Sequence, residues 1–429
     1  MFVVVLLLSS MGAIDAVTRP SLEPHDPDAI STEVPLAIAI PVSAVYVCGA
    51  LFAVMYWRRV LRAARAVWPL VCLAALAPLS IAWSHDPLLT VRRSAFLLGS
   101  TLLGIYLGER FSTEQLARLL VQAVCLMMVA VVILYFVAPA YVVDYVSPIG
   151  AWKGLSYSKN AFGGYMAITV VLLLLVRFRR LRWLRYLFLV TAVVLLLLSR
   201  SATSLLTCVL IVTAMPLRHQ TRFSDKRRRV LYMIASGVVV IASYILWEKQ
   251  ELLFNTLGRD STLTGRTQLW ATVLPAILKH PFLGYGYGSF WNASNGEAQN
   301  IWLQVKWFPA SSHNGYLELC LNFGLVGLVV VLCVLVVAFR MAYDYLRRHD
   351  GLIGLWPISY LTFFALHNLT ESLLLTTRSL EYLLFAAITT SMALNRYHRY
   401  GQTVMRGIPI DRSSTVVTAH LYPKQQTPR

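Results

Sequence analysis

Three cationic side chains stand where a polypeptide rarely leaves them. Arg200 follows the apolar run ending Leu198-Ser199 and is followed at once by Ser201-Ala202 and a second apolar run. Arg266 lies in Thr264-Gly265-Arg266-Thr267-Gln268-Leu269-Trp270, and His313 in Ser311-Ser312-His313-Asn314. A guanidinium fork beside the free N–H groups of a helix start suits phosphate oxygens. An imidazole exchanges a proton near neutral pH or donates to an anionic oxygen. Groups of these types can bind an anion and move a proton. Each residue also has a plainer reading: a snorkelling arginine at a hairpin tip, a loop arginine paired with Asp260, a structural histidine. Asp86, Glu297, Glu318 and Glu371 are alternative bases that spacing cannot rank. Glu318 follows His313 by five positions, so the two sit on moderately different faces of one helix.

The elements that must position these groups are membrane helices. Of the 429 residues 57% are hydrophobic and only 14% charged, and the mean hydropathy is +0.62. Soluble domains run near 45–50% apolar and about 25% charged. Solid apolar runs such as 170–176 and 326–339 are helical spans rather than the alternating strands of a membrane barrel. Spans fall near 2–17, 34–56, 67–84, 94–108, 117–139, 161–176, 186–199, 201–217, 230–247, 314–339, 352–369 and 380–394. The first is short and weak. The fold class expected is therefore an all-α polytopic membrane protein of about 12 transmembrane helices, at roughly 20 residues each.

With the N-terminus inside, most of the 38 lysines and arginines fall on the cytoplasmic connections, 57–66, 109–116, 177–185, 218–229 and 340–351, and the tail from 395. The positive-inside rule then puts both termini in the cytoplasm. The net charge of +18 is accounted for by these runs, so no nucleic-acid partner is expected. The organisation is a weak first helix and short segment (1–33), a membrane bundle (34–247), one large outer loop (248–312), closing membrane helices (313–394) and a flexible tail (395–429). The loop is rich in aromatics, including Trp270, Tyr285, Trp291, Trp302 and Trp307. That composition argues for a folded loop and suits sugar stacking, although Trp and Tyr also anchor interfaces. Apolar spacing over Thr267–Lys279 predicts a surface helix ended by His280-Pro281. The six cysteines sit in apolar runs without ligand spacing and read as small core residues. Gly284-Tyr-Gly286-Tyr-Gly288 imitates a phosphate loop but follows a helix and proline rather than a strand, so a nucleotide site is not expected. No outward Asp-x-Asp or histidine-rich cluster exists, so neither metal nor cofactor is expected.

One pattern is more specific. His313-Asn314 is followed by nine residues and then Gly324-Leu-Val-Gly327. This resembles the H-N-x9-G-x-x-G signature of the bacterial O-antigen ligase and Wzy-type polymerase superfamily. The stretch Gly265-Arg266…Trp270…His280-Pro281-Phe-Leu-Gly284 resembles the same family's periplasmic loop. Trp83-Ser-His-Asp-Pro87, Thr90-Val-Arg92-Arg93, Gly108-Glu-Arg-Phe, Trp152-Lys153-Gly154, Lys159-Asn160-Ala-Phe-Gly163, Leu198-Ser-Arg200-Ser and Asn368-Leu-Thr-Glu371-Ser are similar to its ExoQ-like exopolysaccharide-polymerase branch. The resemblance covers about residues 35 to 395. It implies a GT-C-like helical bundle in the inner membrane with its site facing the periplasm. It implies a donor glycan on undecaprenyl diphosphate, and metal-independent transfer with inversion to an acceptor hydroxyl. Carried over, Arg200 and Arg266 would bind the diphosphate and His313 would assist at the hydroxyl or leaving group. Asn314, Lys159, Asn160, Lys153, Arg93, Glu371 and Trp270 are assigned to substrate contact. A flippase and a chain-length regulator are the partners such a pathway implies, beside membrane lipid. A ligase acting on lipid A-core is the alternative. A transporter or flippase of lipid-linked sugar is less favoured, because the charges sit at the ends of spans rather than in their middles.

Overall fold

The computed structural model describes residues 2–12, 44, 47–49, 51–145, 150–176, 182–220, 265–349, 351–377 and 379–407, with backbone alone at 216–220 and 396–407. The spans expected at 230–247 and over most of 34–56, and the first part of the loop (248–264), lie outside these residues. What is described is a bundle of apolar helices with one two-stranded hairpin. Among the described residues three helices are long and apolar enough to cross a bilayer alone. They are α4 (Pro87–Arg110), α5 (Thr113–Val137) and α11 (Gly315–Arg348). Shorter apolar stretches accompany them: α6 (Lys159–Leu175), α7 (Arg182–Leu198), Ala202–Met215 of α8 (Ala202–Gln220), α12 (Trp356–His367) and Leu380–Asn395 of α13 (Leu380–Gly407). A short α1 (Phe2–Ser10) packs on α5.

Local chemistry sets the ends of these helices. Asp86 caps α4 by accepting the Leu89 N–H, and Pro87 takes the first helical position, where no donor is needed. Ser112 and Gln115 form a reciprocal capping box at the start of α5. Ser158 caps α6 through the Ala161 N–H. Asn314 caps α11 through the Tyr316 and Leu317 N–H groups. These turns alternate between two ends of the bundle. Thr113 donates to the Tyr345 hydroxyl at one end, and Arg185 donates to Leu173 O. At the other end Ser204 donates to Asn160 O.

The stretch 57–66 is not a plain connection. It is a helix, α2 (Trp57–Ala66), that buries Val60 and Ala63 and exposes Arg58, Arg59, Arg62 and Arg65. It meets the following apolar helix α3 (Trp68–Leu79) at a 101° bend. Cys208 and Cys320 are buried as expected, but Cys48, Cys72 and Cys333 are exposed on their apolar runs.

Close packing rests on small residues. Gly104 and Gly108 of α4 face α13 so closely that a Cβ would lie 2.5 Å from the Ala386 Cβ and 2.3 Å from the Ala387 carbonyl oxygen. One-turn glycine spacing is a device for bringing helices together in lipid, where no hydrophobic force drives them.

The main irregularity is inside α11. At Gly324 (φ 61°, ψ −156°) the helix breaks. The turn that follows α9 (Arg266–Lys279) enters the break. Tyr285 N–H donates to Leu321 O and Gly286 N–H to Asn322 O; in return Leu325 N–H donates to Pro281 O and Val326 N–H to Phe282 O. Two carbonyls and two N–H groups beside the kink thus find partners in the turn, as a low-dielectric surrounding requires. The helix expected over 267–279 is α9, and it ends where His280-Pro281 opens this turn.

Gly324→Ala tests the arrangement. Its φ/ψ belongs to glycine, and a Cβ there would lie 2.3 Å from the Phe282 carbonyl carbon. The strain alone is about 1–3 kcal/mol. The melting temperature of the detergent-solubilised protein should fall clearly. Gly99→Ala, with nothing within 4 Å of its added methyl, should melt like the wild type.

Candidate functional site

The site forms at the end of the bundle where α6, α8 and α11 begin and α12 ends. Its centre is the Glu371 carboxylate, only 14% exposed. Arg266, at the first position of α9, donates from Nη2 to Glu371 Oε1 at 2.7 Å and from Nη1 to Thr370 O. Asn160, on the first turn of α6, donates to the same Oε1 at 2.8 Å. His313 Nδ1 lies 3.9 Å from Glu371 Oε2, an ion-pair rather than a hydrogen-bond separation. Three segments remote in sequence therefore converge on one carboxylate.

The backbone is built to hold that convergence. Gly315 N–H donates to both Asn368 O and Glu371 O. A Cβ on Gly315 would lie 2.3 Å from Asn368 Oδ1, so only glycine allows this approach. Asn368 is fully buried, and its amide folds the turn: Oδ1 accepts from Leu373 and Leu374, and Nδ2 donates to Phe364 O. His313 takes a left-handed backbone (φ 49°), costly for a residue with a side chain. The strain is braced on its neighbour. Ser312 N–H donates to Glu318 Oε2 at 2.8 Å, and Trp270 Nε1 donates to Ser312 O at 2.9 Å.

Arg200 also has a left-handed backbone (φ 50°), at the tight turn between α7 and α8, with its side chain exposed. The turn packs on the start of α6, where a Cβ on Gly163 would lie 2.7 Å from Ser199 Oγ and Ser201 Cβ. Ser204 Oγ bonds both Asn160 O and the buried His367 Nε2. Lys159 lies in the field of Asp144, Arg266, Arg200 and Glu371. The cluster is thus cationic on balance, with Glu371 the anion it closes around. Burial pushes the Glu371 carboxyl up, but the adjoining His313, the Arg266 guanidinium and His367 outweigh it and hold it below the ordinary carboxylate range.

The expected site residues divide. Arg266, His313, Glu371 and Asn160 are brought into one cluster, with Arg200 and Lys159 beside it. Asn314 and Trp270 adjoin it, the oxygen of one capping α11 and the indole N–H of the other bracing Ser312. Arg93 and Lys153 lie elsewhere. Arg93 donates to Gly288 O, whose own N–H donates to Asn322 Oδ1, so this guanidinium steadies the inserted turn. Lys153 follows the hairpin of β1 (Val143–Asp144) and β2 (Ala151–Trp152); burial holds its amine below the ordinary value against the opposing pull of Asp144.

Of the four alternative bases, only Glu371 joins the cluster. Asp86 caps α4 and accepts from Asn292. Glu297 pairs with Lys279 at 2.5 Å. Glu318 accepts from Trp291 and Ser312. The bracing by Thr370, Asn368 and Gly315 carries no signature in spacing. The Trp83–Asp86 motif meets the glycine-rich turn directly: Trp83 Nε1 donates to Leu283 O and His85 N–H to Tyr285 O.

Comparison with known proteins agrees with the resemblance read from the residues. Residues 187–332 match the family described as O-antigen ligase. That stretch contains Arg200, Arg266, Trp270, His313, Asn314 and Gly324, but neither Asn160 nor Glu371. The exopolysaccharide production protein ExoQ of Rhizobium meliloti (strain 1021) is 34% identical over 150 residues, 34% of each chain. A putative polysaccharide ligase of Rickettsia conorii is 31% identical over 116 residues, 26% of each chain. The ComP-specific O-oligosaccharyltransferase of Acinetobacter baylyi is 26% identical over 146 residues, 32% of this chain and 26% of that protein. The matches thus span about a third of ExoQ and about a quarter of the other two. The likeness to the O-antigen ligase and ExoQ-like family is therefore shown, and the chain is a membrane protein.

Glu371 also sets a pH expectation. A carboxyl depressed in the folded state adds stability above its unfolded pKa, about 4.3, and loses it as pH falls through the folded value. Melting of wild type and Glu371→Gln in lipid nanodiscs should differ at pH 7, with the variant lower. The gap should narrow below about pH 4. A gap that stays constant with pH would contradict the ion-pair role.

Proposed function

We propose that this chain is a glycosyltransferase that joins undecaprenyl-diphosphate-linked repeat units into an exopolysaccharide. On this reading it sits in the bacterial inner membrane with both termini cytoplasmic, about 12 spans in a GT-C-like bundle, and residues 248–312 as its periplasmic loop. The observation that carries the proposal is the Glu371 cluster, which gathers Arg266, Asn160 and His313 at the end of the bundle opposite the arginines of α2, Arg110, Arg347 and Arg348. The family match over 187–332 and the likeness to ExoQ support the class of reaction.

The chemistry follows from the geometry. The acceptor hydroxyl oxygen attacks the anomeric carbon of the donor as the bond from that carbon to the diphosphate oxygen breaks. The diphosphate leaves with the bonding electrons. Arg200 and Lys159 meet the growing negative charge, and Arg266 completes a fixed cationic wall. Preorganised charges of this kind stabilise a transition state without reorganising. They take the place a divalent metal holds in other transferases, so the reaction runs without one. His313, with Nδ1 toward Glu371, keeps Nε2 for the acceptor proton. Glu371 stabilises the imidazolium that forms, in the manner of a carboxylate that orients a catalytic histidine. Attack opposite the leaving group inverts the anomeric centre. A flippase and a chain-length regulator would supply the donor and limit the product.

A second reading is favoured by the names of the matched family and of the ComP-specific relative: the same donor chemistry with a different acceptor, lipid A-core or a protein.

The assay uses purified protein in nanodiscs with an undecaprenyl-diphosphate-linked repeat unit and EDTA. A ladder of longer lipid-linked glycans is expected from wild type. Arg266→Ala, His313→Ala and Glu371→Gln should each slow it by about 10²–10³-fold. Transfer only to added lipid A-core would replace the polymerase with the ligase. Neither product, in an assay validated with a known polymerase, would remove both.

A further inference from the structure

Four tryptophans lie from α9 to the start of α11, the first of them within α9, and three have their indole N–H groups engaged. Trp270 donates to Ser312 O, Trp291 to Glu318, and Trp302 to Pro309 O at 3.1 Å. Trp307 makes no such bond among the described residues. It follows Lys306, the left-handed cap (φ 61°) of α10 (Gly296–Val305). Its ring lies 5.7 Å from that of His313, tilted by 32°. Its Nε1 is 3.6 Å from where a Cβ on Gly265 would stand, immediately before Arg266. The indole is partly exposed, and the Trp302–Pro309 bond closes the turn that carries it.

We infer that Trp307 is the platform for the acceptor sugar, an assignment that rests on the glycosyl-transfer reading of the site. A pyranose has an apolar C–H face and a rim of hydroxyls. A fixed aromatic face with an N–H donor at its edge, unbonded among the described residues, matches both. The place matches too. His313 turns Nδ1 to Glu371, so a hydroxyl arriving at its other nitrogen brings its sugar ring alongside Trp307. On its other side the indole abuts the residue before Arg266, so the same ring borders the donor's diphosphate site. Trp307 thus touches the acceptor, and sets how firmly it is held rather than how fast the bond is made.

The experiment uses the full chain in nanodiscs and, as probe, the repeat-unit oligosaccharide released by mild acid from the host's own extracellular polysaccharide. Trp307→Leu keeps apolar packing but removes the ring face; Trp307→Phe keeps a ring but loses the N–H. With the lipid-linked donor saturating, Trp307→Leu should raise KM for the oligosaccharide by about tenfold and leave kcat within about threefold. Trp307→Phe should fall between Leu and wild type. An unchanged KM, or loss of kcat in both variants alike, overturns the platform. A calorimetric titration without donor separates this from the reaction itself. Binding by wild type and Arg266→Ala, lost in Trp307→Leu, supports the platform even if no transfer occurs. Transfer by wild type with unaltered KM in Trp307→Leu keeps the reaction and removes the platform. No binding and no transfer removes both.

Discussion

A peptide group without a partner cannot be left in lipid, and this molecule breaks a long apolar helix at its tenth residue. The break at Gly324 frees carbonyls on one side and N–H groups on the other, and the 281–288 turn meets both sets. Much of the site's placement depends on that exchange. The inserted turn is the continuation of α9, whose first residue is Arg266. The half-helix before the break carries His313 and Asn314 at its start. The turn also meets Trp83, His85 and Thr90, which brings α3 and α4 to the same end. One local repair thus fixes the relative position of a guanidinium and an imidazole that are 47 residues apart in sequence.

One carboxylate, Glu371, orders the charges at the centre of the site, while Asp144 acts on Lys159 from outside it. Arg200, Lys159 and Arg266 carry like charge at one end of the bundle. Glu371 takes up one side of Arg266 together with Asn160, and the Thr370 carbonyl takes another. Arg266 is thereby held in one orientation, with Arg200 exposed beside it. The same carboxylate faces His313, so the Arg266 guanidinium and the His313 imidazole share one anchor. His367, buried behind the turn and bonded to Ser204, links that anchor to the Arg200 hairpin.

The apolar runs were legible because lipid demands them, and so was α9, bounded by Gly265-Arg266 and His280-Pro281. The His-Asn-x9-Gly spacing has a physical meaning. It is one helix cap followed by about three turns, after which the helix must break. The glycine-rich turn looked like a false phosphate loop, and is instead the insert that fills the break: Gly284 and Gly286 pass against backbone where a Cβ would not fit. Arg93 reads from its position like a substrate contact, but nothing in local sequence reveals that its partner is Gly288, nearly two hundred residues away. As a base Glu371 was one of four acids that spacing could not rank, although the resemblance assigned it alone of the four to substrate contact. Only folding places it 2.7 Å from Arg266 while turning the other three to caps, an ion pair and a brace. The amphipathic α2 was missed because its four arginines hide the shorter rhythm of Val60 and Ala63.

The length of the helices around the site has a mechanical consequence. α6 has 17 residues, and the apolar stretch that ends in α12 runs from Leu352 to His367. At 1.5 Å per residue these reach about 24–26 Å, against a hydrocarbon layer of about 30 Å. Both are also enclosed by protein: α6 is buried without a gap from Ala161 to Leu173, and most of α12 is buried too. Mismatch with the bilayer acts on helices that face lipid, so these two can be short without thinning the membrane. The shortfall at the start of α6 is filled by the Asn160–Glu371 bond and the Arg200 turn rather than by a deformed bilayer.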